Sequence, residues 1–95
     1  MSPTLNARIH ELKCWPRYFR AMERGEKMFE VRKLDRDFLV GDLLELREFE
    51  CAKGKQTRDG WYSGARLMMR ITYIMRGDDT NPIQQGYAVL GVVRA

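Results

Sequence analysis

The chain has 95 residues and is basic, with 17 Lys and Arg against 13 Asp and Glu and a formal charge of +4. This length predicts a single domain over residues 1–95, and a hydrophobic content of 44% suffices for a core. No apolar run is long enough to cross a bilayer, and the N-terminus lacks the apolar core of a signal peptide. We therefore expect a cytoplasmic protein with no membrane partner.

Cysteine and histidine, which often bind metals or act as nucleophiles and bases, are scarce. Cys14 and Cys51 lie far apart without C-x-x-C spacing, and His10 is the one histidine. We therefore expect reduced thiols, no metal and no cofactor. A catalytic set built from Cys14 and His10 is an alternative, but no feature of the sequence marks either side chain as activated.

The first third of the chain predicts a strand, a helix and a second strand. Residues 8–14 alternate in hydrophobicity, which indicates a strand with His10 on its apolar face. A histidine in that position is usually half-buried and bonded to the backbone. Pro16 suits the first turn of a helix and Gly25 suits the position after its end, so the helix should run between them. The second strand should cover residues 28–33.

The stretch from Gly25 to Gly41 concentrates charge around this second strand, with four cationic and four anionic side chains. Alternation places Glu30 and Arg32 on one strand face, where they can pair or jointly face a ligand, and sends Lys27 to the other. The three converge only if Lys27 lies in the turn before the strand, which Gly25 favours, or if a bulge intervenes. The plain alternative is a solvated face with a weak surface ion pair.

The rest of the chain predicts three more strands separated by turns. Residues 43–50 form the third strand after a turn at residues 40–42, and residues 51–63 are expected to be a loop. Residues 65–75 alternate as a long fourth strand, and residues 87–93 are apolar enough for a central one. The expected core face of the fourth strand consists of Leu67, Met69, Ile71, Tyr73 and Met75.

The charged stretch resembles a known signature. The G-x-K-x-x-E-x-R signature of ASCH domains, small β-barrels of the PUA-like superfamily, is matched by Gly25-x-Lys27-x-x-Glu30-x-Arg32. The similarity extends over nearly the whole chain and points to an ASCH-related family of small bacterial and phage proteins of unknown function. Further matching motifs are His10-Glu-Leu-Lys13, Trp15-Pro16 and Arg32-Lys33-x-Asp35-Arg36-Asp37-Phe38-x-Val40-Gly41-Asp42. The implied fold is α+β, a closed PUA-like barrel of about five strands covered by one main helix.

The resemblance also implies a ligand cleft between barrel and helix, formed by the signature residues. There Lys27 and Arg32 would attract phosphate or carbonyl oxygens, and Glu30 would accept hydrogen bonds from a base edge or a hydroxyl. Lys27 and Glu30 are also the catalytic candidates. The predicted ligand-binding residues are Lys27, Glu30, Arg32, Lys33, Arg36, His10, Lys13 and Trp61.

Trp61 belongs to this set because of its basic neighbours. Trp61 and Tyr62 lie next to Lys53, Lys55 and Arg58 in the sequence, and such a mixture of aromatic and basic side chains suits stacking on nucleic-acid bases. Residues 51–76 as a whole hold six Lys and Arg against one acidic residue, which favours an anionic partner. Packing of Trp61 onto the barrel rim is the alternative.

These observations predict a nucleic-acid-binding module for RNA or a nucleotide. One alternative is a small hydrolase acting on RNA or a modified nucleoside. Some ASCH relatives are amidohydrolases with a threonine at the position of Glu30, so that nucleophile is missing here and their chemistry does not transfer. The other alternative is a protein-interaction module of phage or mobile-element origin.

Overall fold

The computed structural model describes residues 7–52 and 59–95, so Lys53, Lys55 and Arg58 lie outside the described residues. Within those ranges the chain forms five strands and one helix, and the predicted α+β class is confirmed. In chain order the elements are β1 (Ile9–Cys14), α1 (Pro16–Glu23), β2 (Phe29–Lys33), β3 (Leu43–Cys51), β4 (Gly60–Arg76) and β5 (Tyr87–Arg94).

The loop predicted over residues 51–63 was too long. β3 reaches Cys51 and β4 already begins at Gly60, because the two strands continue to pair beyond the predicted end of the ladder. Tyr62 pairs with Phe49 across this extension. Aromatic cross-strand pairs stabilise a hairpin, and this stabilisation outweighs the preference of the glycine-rich segment for a loop.

The strands form one sheet in the order β1-β3-β4-β5-β2. β1 and β3 are parallel, which requires a long crossover that α1 and β2 supply, and all other neighbours are antiparallel. The sheet curls into a half-barrel rather than the closed barrel that was expected. β1 and β2 are therefore its two edges, and we call the gap between them the seam.

The helix and the inner face of the sheet enclose the core. α1 begins at Pro16 and buries Phe19 and Met22. In β1 the buried residues alternate with exposed ones, so Leu12 and Cys14 point inward. Within residues 7–52 and 59–95 no helix has the length and apolarity that a membrane span requires. The core consists of Leu12, Cys14, Phe19, Met22, Phe38, Leu44, Leu46, Leu67, Met69, Ile71, Ala88, Leu90 and Val92.

The predicted core face of β4 is wrong at its C-terminal end. The pairing register with β5 shifts between Ile71 and Tyr73. Ile71 is buried as predicted, but Tyr73 and Met75 are 67% and 40% exposed, and Ile74 packs against the core instead. A bulge leaves one residue unpaired, so the side chains that follow it change face.

The outer face of the sheet has a charged half and an apolar half. The apolar half lies on β2, β5 and the end of β4, where the exposed side chains are Phe29, Val31, Tyr73, Met75 and Val93. The charged half lies on β1, β3 and the first part of β4, with Glu11, Lys13, Glu45, Arg47 and Arg66. The candidate site described next adjoins the charged half.

Candidate functional site

The signature side chains meet at the start of β2. Gly25 has a φ of 78°, a left-handed conformation that glycine tolerates, and the chain turns there from α1 toward the strand. Lys27 lies in this turn and not in β2, so strand alternation does not separate it from Glu30 and Arg32. Lys27 Nζ is 2.7 Å from Glu30 Oε1, and Arg32 Nε is 2.9 Å from Glu30 Oε2. The three residues therefore converge through the turn, as Gly25 suggested.

Arg32 also connects the two edge strands. Its Nη2 donates a hydrogen bond of 2.6 Å to the carbonyl oxygen of Lys13, so a side chain of β2 reaches the backbone of β1 across the seam. Lys27 Nζ additionally donates to the Phe29 carbonyl oxygen at 2.7 Å, which fixes the lysine beside the first residue of β2. We call Lys27, Glu30, Arg32 and the Lys13 carbonyl group the clasp.

Glu30 is the centre of the clasp. The residue is 4% exposed, and each of its carboxylate oxygens accepts a hydrogen bond from a cation. Burial of a carboxylate is costly unless opposite charges compensate it, and here Lys27 and Arg32 do so. Each oxygen keeps a second lone pair, but the burial of the residue leaves a ligand little access to it. Its geometry suits a residue that holds Arg32 in place.

Cys14 lies in the core beside the clasp. Burial raises the pKa of its thiol to about 12; the charge of Glu30 adds to this effect, while Lys27 and Arg32 oppose it. The thiol is therefore protonated at neutral pH, whereas a nucleophilic cysteine acts as the thiolate. The structure gives no support to a catalytic set of Cys14 and His10.

His10 belongs to a second buried network, at the other end of β1. It is buried more completely than the half-buried position that was predicted, and its Nε2 lies 2.8 Å from Asp42 Oδ2, so its partner is a carboxylate and not the backbone. Arg8 Nη2 and the Leu39 amide also donate to Asp42 Oδ2, at 3.2 and 3.1 Å. Burial tends to raise the pKa of Asp42, but these hydrogen bonds and the charge of Arg8 outweigh it and lower the pKa.

A cleft opens beside the clasp, at the C-terminal half of β1. Its volume is about 350 Å³. Four of its lining residues are cationic and one is acidic, so the lining itself carries a net positive charge. The lining residues are Glu11, Leu12, Lys13, Arg32, Arg36, Arg47 and Tyr62. The predicted residues Lys13, Arg32 and Arg36 thus share one cleft.

Arg47 is a cleft residue that sequence reasoning did not assign, and of the two aromatic residues expected to suit stacking, Tyr62 lines the cleft and Trp61 does not. Arg47 enters the cleft because it lies opposite Lys13 in the parallel pairing of β1 with β3. Tyr62 also reaches the cleft, because the pairing of β4 with β3 places its ring next to Phe49. The register of β1 with β3 is needed to find Arg47, because a local pattern does not encode that register, whereas Tyr62 has a local signal in its basic sequence neighbours.

Aromatic rings support the cationic side chains of the cleft. Trp15, Phe49 and Tyr62 form a chain of edge-to-face contacts, with ring centroids 6.1 and 5.1 Å apart. Lys13 Nζ lies 4.2 Å from the centre of the Phe49 ring, and Arg47 Cζ lies 4.3 Å from that of Tyr62. Such cation–π contacts restrain the two cations while leaving their charge available to a ligand.

Other predicted binding residues do not line the cleft. Lys27 and Glu30 belong to the clasp beneath it, and His10 is bonded to Asp42. Lys33 and Trp61 are exposed elsewhere on the sheet, Trp61 opposite Glu50 on β3. Within residues 7–52 and 59–95, no group of three or more His, Cys, Asp or Glu side chains is placed to hold a metal ion.

The fold and the site define a small α+β domain in which a charged clasp joins two edge strands beside a cationic cleft. The chain belongs to the family described as "Domain of unknown function (DUF3850)", which it matches over residues 9–92. It is also 36% identical over 66 residues to the "Uncharacterized 12.9 kDa protein in GpA 3'region" of Escherichia phage P2. That match covers 70% of this chain and 53% of the phage protein, so the chain spans about half the length of that curated relative.

Proposed function

We propose that the protein binds single-stranded RNA in the cleft, with the cationic side chains contacting phosphates. The observation that carries this proposal is the grouping of Lys13, Arg32, Arg36 and Arg47 around one open cleft that also exposes the Tyr62 ring. Phosphates provide the main attraction in nucleic-acid binding, and aromatic rings add stacking on bases.

The size of the cleft supports a single strand over a duplex. A volume of about 350 Å³ lies at the lower end of small-ligand sites and is of the order of one nucleotide. Proteins recognise single strands through bases that are free to leave the stack, and a free nucleotide presents the same groups. A nucleotide is therefore the smallest ligand that this proposal covers.

The clasp supports binding over the hydrolase alternative. A general base must lie within hydrogen-bond reach of the substrate, whereas Glu30 is buried, does not line the cleft and is bonded to two cations. Glu11 is the carboxylate that lines the cleft, and its side chain is 68% exposed and 3.8 Å from Arg47. Formation of cleaved product during a binding assay would favour the hydrolase alternative. Binding of a protein instead of RNA would favour the protein-interaction module.

Two further expectations from the sequence also stay proposals. We propose that the family is related to ASCH domains, on the strength of the G-x-K-x-x-E-x-R spacing and the curled sheet covered by one helix. We also propose that the protein works in the cytoplasm, where the free thiols of Cys14 and Cys51 would stay reduced.

Fluorescence anisotropy with a labelled oligouridylate, at several salt concentrations, tests the proposed function. Four phosphate contacts to a single strand predict a slope of log K against log salt of about −2 to −3. Arg36→Ala and Arg47→Ala should each weaken binding about three- to tenfold and bring the slope closer to zero by roughly 0.7.

Arg94→Ala is the matched control, because Arg94 is exposed, lies outside the cleft and changes the net charge equally. It should leave the affinity within about twofold of the parent, since a distant exposed charge is largely screened. Equal losses in all three variants would indicate attraction to net charge and would contradict a site. Absence of binding by the parent protein at low salt would refute the proposed function.

A further inference from the structure

Arg32 differs from the other cationic side chains of the cleft in how it is held. Its Nε and Nη2 donate to Glu30 and to the Lys13 carbonyl oxygen at 2.9 and 2.6 Å. Lys13 and Arg47 instead rest on aromatic rings, and the carboxylates nearest to Arg36 and Arg47 are 3.7 and 3.8 Å away. Among the four cationic side chains that line the cleft, Arg32 is therefore the one whose orientation is fixed by short hydrogen bonds.

The two anchored nitrogens lie on one edge of the guanidinium plane. The remaining edge consists of Nη1 and the second N–H of Nη2, and within residues 7–52 and 59–95 no group accepts a hydrogen bond from Nη1. Arg32 lines the cleft and its side chain is 25% exposed, so this edge is within reach of a ligand. A planar fork with one edge anchored is suited to a bidentate contact with phosphate through the other.

We infer that Arg32 binds one phosphate of the RNA through its free edge, and that Glu30 is the positioning residue that orients Arg32 for this contact. The inference rests on the proposed function and specifies the ligand group at one position of the cleft. Lys27 and the Lys13 carbonyl oxygen complete the support, because they hold Glu30 and the second nitrogen of Arg32. Such preorganisation lowers the entropic cost of binding.

This role predicts an unusual sign for the effect of Glu30→Gln. Removing a negative charge beside the cleft would by itself strengthen the binding of an anion. The glutamine, however, turns a donor toward either Lys27 or Arg32 and loosens the guanidinium. We expect affinity for the oligouridylate to fall about tenfold in Glu30→Gln, as for the loss of one charge-assisted hydrogen bond.

A double-mutant cycle separates positioning from simple electrostatics. In an Arg32→Ala background, Glu30→Gln should no longer lower affinity, because the side chain that Glu30 positions is gone. Arg32→Lys keeps the charge, so the salt slope should stay near that of the parent while affinity still falls about tenfold. Higher affinity in Glu30→Gln while Arg32 is present, or an equal loss of affinity in both backgrounds, would overturn the inference.

A spectroscopic measurement on the parent protein covers the case in which Glu30→Gln does not fold. The side-chain Nε–Hε signal of Arg32 in ¹⁵N spectra should shift on addition of the oligouridylate and should keep slow proton exchange in both states. Shifts at Arg36 and Arg47 with none at Arg32 would refute the role of Arg32 and leave the proposed function standing. If neither anisotropy nor NMR detects binding of the oligouridylate to the parent protein, the proposed function itself is refuted.

Discussion

Two buried carboxylates, Glu30 and Asp42, hold opposite ends of the edge strand β1 in different ways. Asp42 accepts hydrogen bonds from His10 and Arg8, at a place where β1 already pairs with β3 through backbone hydrogen bonds. Glu30 binds Arg32, which reaches β1 across the seam, where the described strands have no backbone ladder. Asp42 thus reinforces an existing pairing, whereas Glu30 supports a connection made by side chains.

The difference indicates which end of β1 depends more on its charged residues. Breaking a buried ion pair by removing one partner is costly because the other partner stays buried without compensation. The backbone ladder between β1 and β3 runs from Ile9 to Cys14, so it remains at both ends after such a loss and nothing further is affected at the Asp42 end. At the Glu30 end the position of β1 relative to β2, and with it the shape of the cleft, depends on the clasp.

The largest effect that we expect comes from Glu30→Ala, which leaves Lys27 and Arg32 without their shared counter-charge. Because these two cations are partly exposed, the free energy of unfolding should fall by about 2–4 kcal/mol and not by the full cost of a deeply buried pair. Urea unfolding at neutral pH measures the change. The control Glu11→Ala removes an exposed carboxylate and should change stability by less than about 0.5 kcal/mol. Similar small losses in both variants would remove the distinction between the two ends of β1.

A smaller effect is expected at the other network, from Asp42→Asn. The amide oxygen can still accept a hydrogen bond, so the loss at neutral pH should be about 1–2 kcal/mol. The pKa of Asp42 is lowered in the folded state, so its carboxylate stabilises the fold above its ordinary pKa of 3.8 and loses that contribution as the pH falls further.

The free energy of unfolding should therefore be measured for the parent and for Asp42→Asn at a series of acidic pH values. The difference between the two proteins should become smaller below pH 3.8. Asp35→Asn removes an exposed carboxylate of the same type and should follow the parent at every pH. A gap of constant size across the acidic range would contradict the role of the Asp42 charge.

The smallest effect concerns the reactivity of Cys14, which reports on opening of the clasp. Its raised pKa keeps the thiol protonated. The contribution of the protonated thiol to the stability of the fold is complete below the ordinary pKa of 9.0 and is lost as the pH rises toward 12. At pH 8 a thiol reagent should label Cys51, which is less buried, at least about tenfold faster than Cys14. Mass spectrometry of digested samples resolves the two sites.

The same assay compares the two networks directly. Glu30→Ala should accelerate labelling of Cys14, because the clasp lies beside this thiol, whereas Asp42→Asn should leave it nearly unchanged. Cys51 serves as the internal control in each variant. Equal acceleration by both substitutions would mean that β1 loosens as a unit, and the comparison between its two ends would fail.

Sequence reasoning succeeded where the determinant was local. The helix between Pro16 and Gly25 and the number of strands were predictable, because capping residues and hydrophobic periodicity act over a few neighbours. The place of Lys27 in the turn was likewise foreseeable, because a glycine with positive φ ends the helix shortly before it.

Long-range pairing was beyond the sequence. The partner of His10 lies 32 positions away in Asp42, and a lone histidine on an apolar face gives no sign of which group it will meet. The bulge that exposes Tyr73 depends on how β4 must bend to pair with β5, and hydrophobic alternation does not record that requirement.

The amino-acid sequence by itself determined the elements, the convergence of Lys27, Glu30 and Arg32 near the start of β2, and the basic character of the chain. The tertiary structure decided what these residues do, because the parallel register of β1 with β3 brings Arg47 beside Lys13 and the curl of the sheet brings Arg32 to the Lys13 carbonyl oxygen. Periodicity specifies which face a side chain takes. Its partners depend on packing between segments that are distant in the chain, and this packing placed Glu30 beneath the cleft instead of in it.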